Sequence, residues 1–104
     1  MTVNALLSVA PVTEDSMAPE VATAVAALDE FDVSYETNSM GTVIEAGDIE
    51  TLFAAVEAAH TAVDCERVST VLKIDDKRDS EQAVTRKVER VEEELGRPPR
   101  RALD

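Results

Sequence analysis

Four sets of side chains in this sequence are of types that do chemistry: the single histidine His60, the single cysteine Cys65, the charged run Asp75-Asp76-Lys77-Arg78-Asp79, and a scatter of small polar residues. General acid–base work needs a histidine with a positioned partner, and no motif supplies one for His60, which reads as a boundary residue of a helix. Cys65 stands between Asp64 and Glu66, whose charges disfavour the thiolate that a nucleophile or metal ligand requires, so it reads as a small apolar filler. One cysteine also forbids an intramolecular disulfide or a cysteine-based zinc site within the chain. The charged run has the composition of a cation loop without its glycine or its later glutamate, and its own Lys and Arg compete with a metal; it reads as an ion-paired connection. No catalytic triad pattern, phosphate loop or dinucleotide-binding glycine motif occurs, and three glycines are too few for a phosphate cradle. These readings predict a protein that is not an enzyme and has no metal and no cofactor. The small polar residues remain: Ser8, Asn38, Ser39, Thr42 and Glu45. Projecting to one side, they would line a pocket walled by Leu6, Met40, Ile44 and residues of a helix, and a mostly apolar cleft with a few convergent donors and acceptors is how a small heteroaromatic ligand is held.

The elements that would position these groups follow from periodicity. Val3 to Val12 is a mostly apolar run with Pro11 near its end, and reads as a strand. Asp15 and Ser16 offer helix caps, Pro19 fits a first turn, and Met17, Val21, Ala24, Val25 and Leu28 recur at helical spacing to about residue 30. Val33, Tyr35 and Thr37 alternate with polar residues, and Thr42-Val43-Ile44-Glu45 follows Ser39-Met40-Gly41, which predicts a hairpin with a short turn. Asp48 caps a second helix carrying Ile49, Leu52, Phe53, Val56, Ala59 and Val63, which should end near Asp64. Val68, Thr70, Leu72 and Ile74 mark a fourth strand. Ser80 caps a third helix with Val84, Val88, Val91 and Leu95 on one stripe, Gly96 as its left-handed C-terminal residue and Pro98-Pro99 beyond. Arg90 and Glu94 on its polar face form a candidate i, i+4 pair.

The order β-α-β-β-α-β-α predicts an α+β fold: a ferredoxin-like βαββαβ sandwich over residues 1–96, with a four-stranded antiparallel sheet and an extra C-terminal helix. Residues 97–104 read as a mobile or partner-ordered tail. Apolar residues interleave on both sides of the first strand, so the face without helices should be covered by something, and self-association is the expectation.

The composition bounds the partners. With 22 acidic and 10 basic residues in 104, the net charge is −12, which opposes phosphate backbones and anionic lipid; neither nucleic acid nor membrane is expected. Thirteen of the acids precede Arg67, where there is no Lys or Arg. That asymmetry reads either as a surface for a cation or, more simply, as the hydrated acidic surface of a halophilic protein, and only three of the ten cations are Lys. The N-terminal run has no positive region and is broken by Asn4, Ser8 and Pro11, so no leader or membrane span is expected and a cytoplasmic location follows.

At the quoted positions the sequence resembles a known family, the small thiamine-binding proteins related to YkoF. The resemblance rests on Leu7-Ser8-Val9-Ala10-Pro11 with Ser16, on Ser39-Met40-Gly41-Thr42-Val43-Ile44-Glu45, on Ala58-Ala59-His60, and on Lys73-Ile74-Asp75-Asp76-Lys77-Arg78-Asp79 leading into Val88-Glu89. It spans about residues 3 to 95. It implies a homodimer or homotetramer of one ferredoxin-like domain that binds thiamine or its hydroxymethylpyrimidine moiety without transforming it, in sequestration or sensing. On that resemblance Ser8, Asn38, Ser39 and Thr42 would meet the aminopyrimidine, Met40 and Ile44 would form its slot, Glu45 or a nearby carboxylate would favour the thiazolium, and Tyr35 would supply stacking. The competing reading is a structural or regulatory homo-oligomeric interaction protein without a small ligand.

Overall fold

A computed structural model describes residues 2–78 and 84–100. The central strand β1 (Val3–Pro11) has every odd residue buried and every even residue half-buried, the signature of a strand whose two faces meet different surroundings. It is flanked on one side by β3 (Gly41–Ala46) and on the other by β4 (Val68–Asp75), both antiparallel to it, and β2 (Val33–Asn38) forms the edge beyond β3. The sheet order β2-β3-β1-β4 is that of the expected ferredoxin-like sandwich.

Helices α1 (Ala18–Ala27) and α2 (Ile49–Ala62) cover one face. The core lies between the layers. Val3, Ala5 and Leu7 of β1 and Ile44 and Ala46 of β3 meet Ala24 of α1, Leu28 just after it, and Leu52, Ala55, Val56 and Ala59 of α2. Asp48 caps α2 as expected, its carboxylate accepting the Thr51 N–H at 2.7 Å. That bond holds the Asp48 carboxyl below the ordinary carboxylate range. The first helix starts later than its spacing predicted. Ser16 Oγ accepts the Ala18 N–H at 3.3 Å, Met17 is the N-cap with no side-chain cap, and Pro19 lies in the first turn.

Phe53, read among the apolar positions of the second helix, is 51% exposed, because the α2 stripe that reaches the sheet runs through Leu52, Ala55, Val56 and Ala59. Cys65 is half-buried against the core, and His60 Nδ1 shares a hydrogen bond with Thr70 Oγ1.

The third helix, α3 (Val84–Leu95), ends at Gly96, whose φ of +74° and N–H bond to the Glu92 carbonyl make the expected left-handed stop. Its ion pairs run from Arg86 to Glu89 and Glu93 rather than from Arg90 to Glu94. Lys87 reaches Asp75 at the end of β4, and the ammonium holds that carboxyl below its ordinary range. Val88, Val91 and Leu95 remain exposed. The Ser80 cap, the Val84 side chain and tail residues 101–104 lie outside the described residues. The molecule measures 46 × 38 × 19 Å, and its radius of gyration of 15.2 Å exceeds the roughly 13 Å of a compact chain this long. The face of the sheet away from α1 and α2, carrying Leu6, Ser8, Ala10, Val43 and Val71, has no helical layer of its own comparable to theirs.

Candidate functional site

The two layers part at one end of the sheet, between α1 and the β2–β3 hairpin, and leave a cleft of about 160 Å³. Leu7 and Val9 of β1, Thr37 of β2 and Thr42 of β3 line its sheet side; Met17, Val21, Ala24, Val25 and Leu28 line its helix side; Asn38, Ser39, Met40 and Gly41 close it at the hairpin tip. Most of this surface is hydrocarbon. Besides Asn38 and Ser39 at the hairpin, a polar pair lies at the sheet side, where Thr42, the one buried polar residue among those described, shares a hydrogen bond of 3.0 Å between its Oγ1 and that of Thr37. One hydroxyl donates to the other, so the pair still holds one hydroxyl proton and free lone pairs for a third group. Such a pair suits a ligand edge that presents a donor beside an acceptor.

The hairpin tip is built by local rules. A two-residue connection, Ser39-Met40, joins the Asn38↔Gly41 pair, and the Asn38 side-chain carbonyl accepts the Met40 N–H at 2.8 Å. Gly41 then adopts a φ of +149°, and a Cβ there would approach the Leu7 carbonyl oxygen to 2.8 Å. Glycine is required by both the dihedral and the contact. The turn length also sets the register that brings Thr37 opposite Thr42.

Outside the cleft, and sharing Val21, Val25 and Thr37 with it, an open groove runs along α1 and the edge strand β2. Ala18, Ala22 and Ala26 form its helix wall, and Tyr35 and Asp29 its polar end. The Tyr35 hydroxyl donates to Asp29 Oδ1 at 2.5 Å, and the bond to that carboxylate holds the phenol above its ordinary range. Among the described residues no group of three metal-ligating side chains converges.

Of the expected site residues, Ser8, Asn38, Ser39, Met40 and Thr42 border the cleft together, and Tyr35 lies in the adjoining groove. Ser8 does so with a qualification of geometry: its pairing with Val71, which is 62% exposed, puts its side chain on the sheet face away from the helices. Met40 is 78% exposed, so it stands at the mouth instead of forming a slot. Ile44 and Glu45 are not at the cleft. Ile44 is fully buried in the core below it, and Glu45, the next residue on the strand, faces the opposite side, beside Thr2 and Ser34. Leu6 is displaced for the same reason, since Leu7 is the β1 residue opposite Thr42. A strand alternates with period two, so Thr42 and Ile44 share a face that Glu45 cannot join. Thr37 was missed. Its signal was in the chain, because a two-residue turn at Ser39-Met40 dictates its pairing with Thr42.

Comparison with known proteins adds to this geometry. The profile of a family described as thiamine-binding protein matches residues 5–92. A UPF0045 protein of Methanothermobacter thermautotrophicus is 44% identical over 98 residues, spanning 89% of this chain and 99% of its own. Among solved structures, a hypothetical protein of Methanocaldococcus jannaschii superimposes with a TM-score of 0.81 at 36% identity, over 88% of this chain and 97% of that one. A Thermotoga maritima protein assigned provisionally to thiamine biosynthesis or salvage has the same fold, with a TM-score of 0.76 at 21% identity over 88% and 99% of the two chains.

Proposed function

We propose, from the premise that this chain belongs to the thiamine-binding protein family, that it binds thiamine or the hydroxymethylpyrimidine moiety of thiamine in the cleft between α1 and the β2–β3 hairpin. The observation that carries this reading is the hydroxyl pair of buried Thr42 and exposed Thr37 on the sheet side of a mostly apolar cleft. An aminopyrimidine offers an exocyclic NH₂ donor next to a ring-nitrogen acceptor, and the remaining proton and lone pairs of the two threonines complement that edge. The hydrocarbon of Leu7, Val9, Val21 and Val25 supports the faces of the ring. The side chains bordering the cleft are hydroxyls, an amide and hydrocarbon, with no paired acid and base, so the ligand is held and released unchanged, for sequestration or sensing in the cytoplasm.

The protein acts as a homodimer or homotetramer. What supports this is the second face of the sheet, where Leu6, Ala10, Val43 and Val71 carry hydrocarbon, together with the exposed Val88, Val91 and Leu95 of α3. That same surface is what favours the competing reading of a structural or regulatory interaction protein without a small ligand.

Calorimetric titration with thiamine and with hydroxymethylpyrimidine separates the two. The ligand reading expects saturable binding that Thr42→Val weakens about three- to tenfold, the effect of one lost hydrogen bond. Absence of heat and of any thermal shift at millimolar ligand in high salt would overturn it and leave the interaction reading.

A further inference from the structure

The geometry points to a second, cation-selective half of the site: the groove along α1 and β2, ending at the Asp29–Tyr35 pair, receives the positively charged ring of a two-ring ligand whose other ring occupies the cleft. This inference rests on the functional reading above and extends it. Size is the first argument. A cleft of about 160 Å³ is small against the roughly 300–1,000 Å³ of pockets that enclose a drug-sized ligand, so a ligand of two linked rings can place only one of them there. The second ring must then lie outside, and the groove is continuous with the cleft through Val21, Val25 and Thr37.

Chemistry is the second argument. Asp29 is the only charged side chain lining the groove, and among the described residues no Lys, Arg or His lies within ion-pair distance of it. Its Oδ1 accepts the Tyr35 hydroxyl proton, which fixes the carboxylate at the hydroxyl end of the one tyrosine in the chain. A fixed carboxylate next to a tyrosine is a site for a delocalised organic cation, which gains the Coulomb term there and a cation–π contact where it lies over the ring. No Lys or Arg precedes Arg67 in the sequence, so the segments that build this end of the molecule carry no cation to compete with it. The charge role expected of Glu45 thus falls to Asp29, on the opposite side of the sheet, and Tyr35 acts with it and not with the cleft.

The test compares a charged and a neutral ligand on the same protein. Thiamine carries the thiazolium and hydroxymethylpyrimidine does not. Wild-type protein should bind thiamine more tightly, and that preference should shrink as salt is raised. Asp29→Asn and Tyr35→Leu should each weaken thiamine roughly three- to fivefold, leave hydroxymethylpyrimidine unchanged, and so erase the preference. The salt titration uses unaltered protein, so it stands even where a variant folds poorly. If wild-type protein binds both ligands equally, or if Asp29→Asn weakens both alike, the cation half is overturned while the cleft reading survives. If neither ligand binds wild-type protein, the cleft reading fails and this inference fails with it.

Discussion

Thr42 and Gly41, adjacent in the chain, shape the cleft by opposite means. Thr42 brings a hydroxyl into a buried setting and satisfies it across the hairpin with Thr37, whereas Gly41 contributes by what it lacks. Replacing Gly41 with Ala forces a Cβ to within 2.8 Å of the Leu7 carbonyl in a backbone conformation that favours glycine. Gly41→Ala should therefore lower the melting temperature by several degrees and weaken ligand binding together, as read by thermal denaturation and titration. A variant with unchanged stability and affinity would show that the hairpin tip adjusts freely. At this scale the sequence was partly legible. Thr42, Ser39 and Asn38 could be singled out by type and position, but a residue type says nothing about which face it serves until the register is known. That is why Glu45 and Ile44 entered the expected site and Thr37 did not.

Elements were easier to read than residues, because period two and period 3.6 are carried by many side chains at once. The α2 boundary at Asp48 is the clearest case, and its cap makes a pH prediction. The Thr51 N–H bond lowers the Asp48 pKa in the folded protein, so the cap contributes its stability above the ordinary carboxylate range and loses it as pH falls through that range and then through the lowered folded value. Asp48→Ala should lower the melting temperature by a few degrees at neutral pH, and that difference should narrow on acidification through and below the ordinary carboxylate range. A difference independent of pH would place the effect elsewhere than in the charged cap. The α1 start was less legible: Thr13, Asp15 and Ser16 are all capping types. Only the structure shows that Thr13 Oγ1 takes the Asp15 N–H and Ser16 Oγ that of Ala18, the helix following after Met17. Phe53 was misplaced because helical spacing alone does not say where the apolar stripe ends when Ala55 and Ala59 let the helix sit close to the sheet.

As a whole, the molecule is a two-layer plate with one face packed and the other presenting Val71, while Val91 of α3 is also exposed. The proposed self-association through that face predicts that Val71→Asp shifts the protein to monomer in light scattering without unfolding it, since Val71 is 62% exposed and lies outside the core. An unchanged mass would move the interface to another surface. The fold class could be read from element order because the βαββαβ connectivity admits few sheets, whereas the cleft could not, since it exists only where α1 lifts away from β1 and β3. Net charge of −12 looked like the largest feature of the chain, yet the site it surrounds is mostly hydrocarbon with a few hydroxyls, one amide and one nearby carboxylate. The central claim is that this cleft holds the pyrimidine end of thiamine, and calorimetry with hydroxymethylpyrimidine on wild-type protein and Thr42→Val tests it most directly. Saturable binding to the wild type, weakened about three- to tenfold by the substitution, is the predicted result; equal binding to both proteins, or none to either, would contradict it.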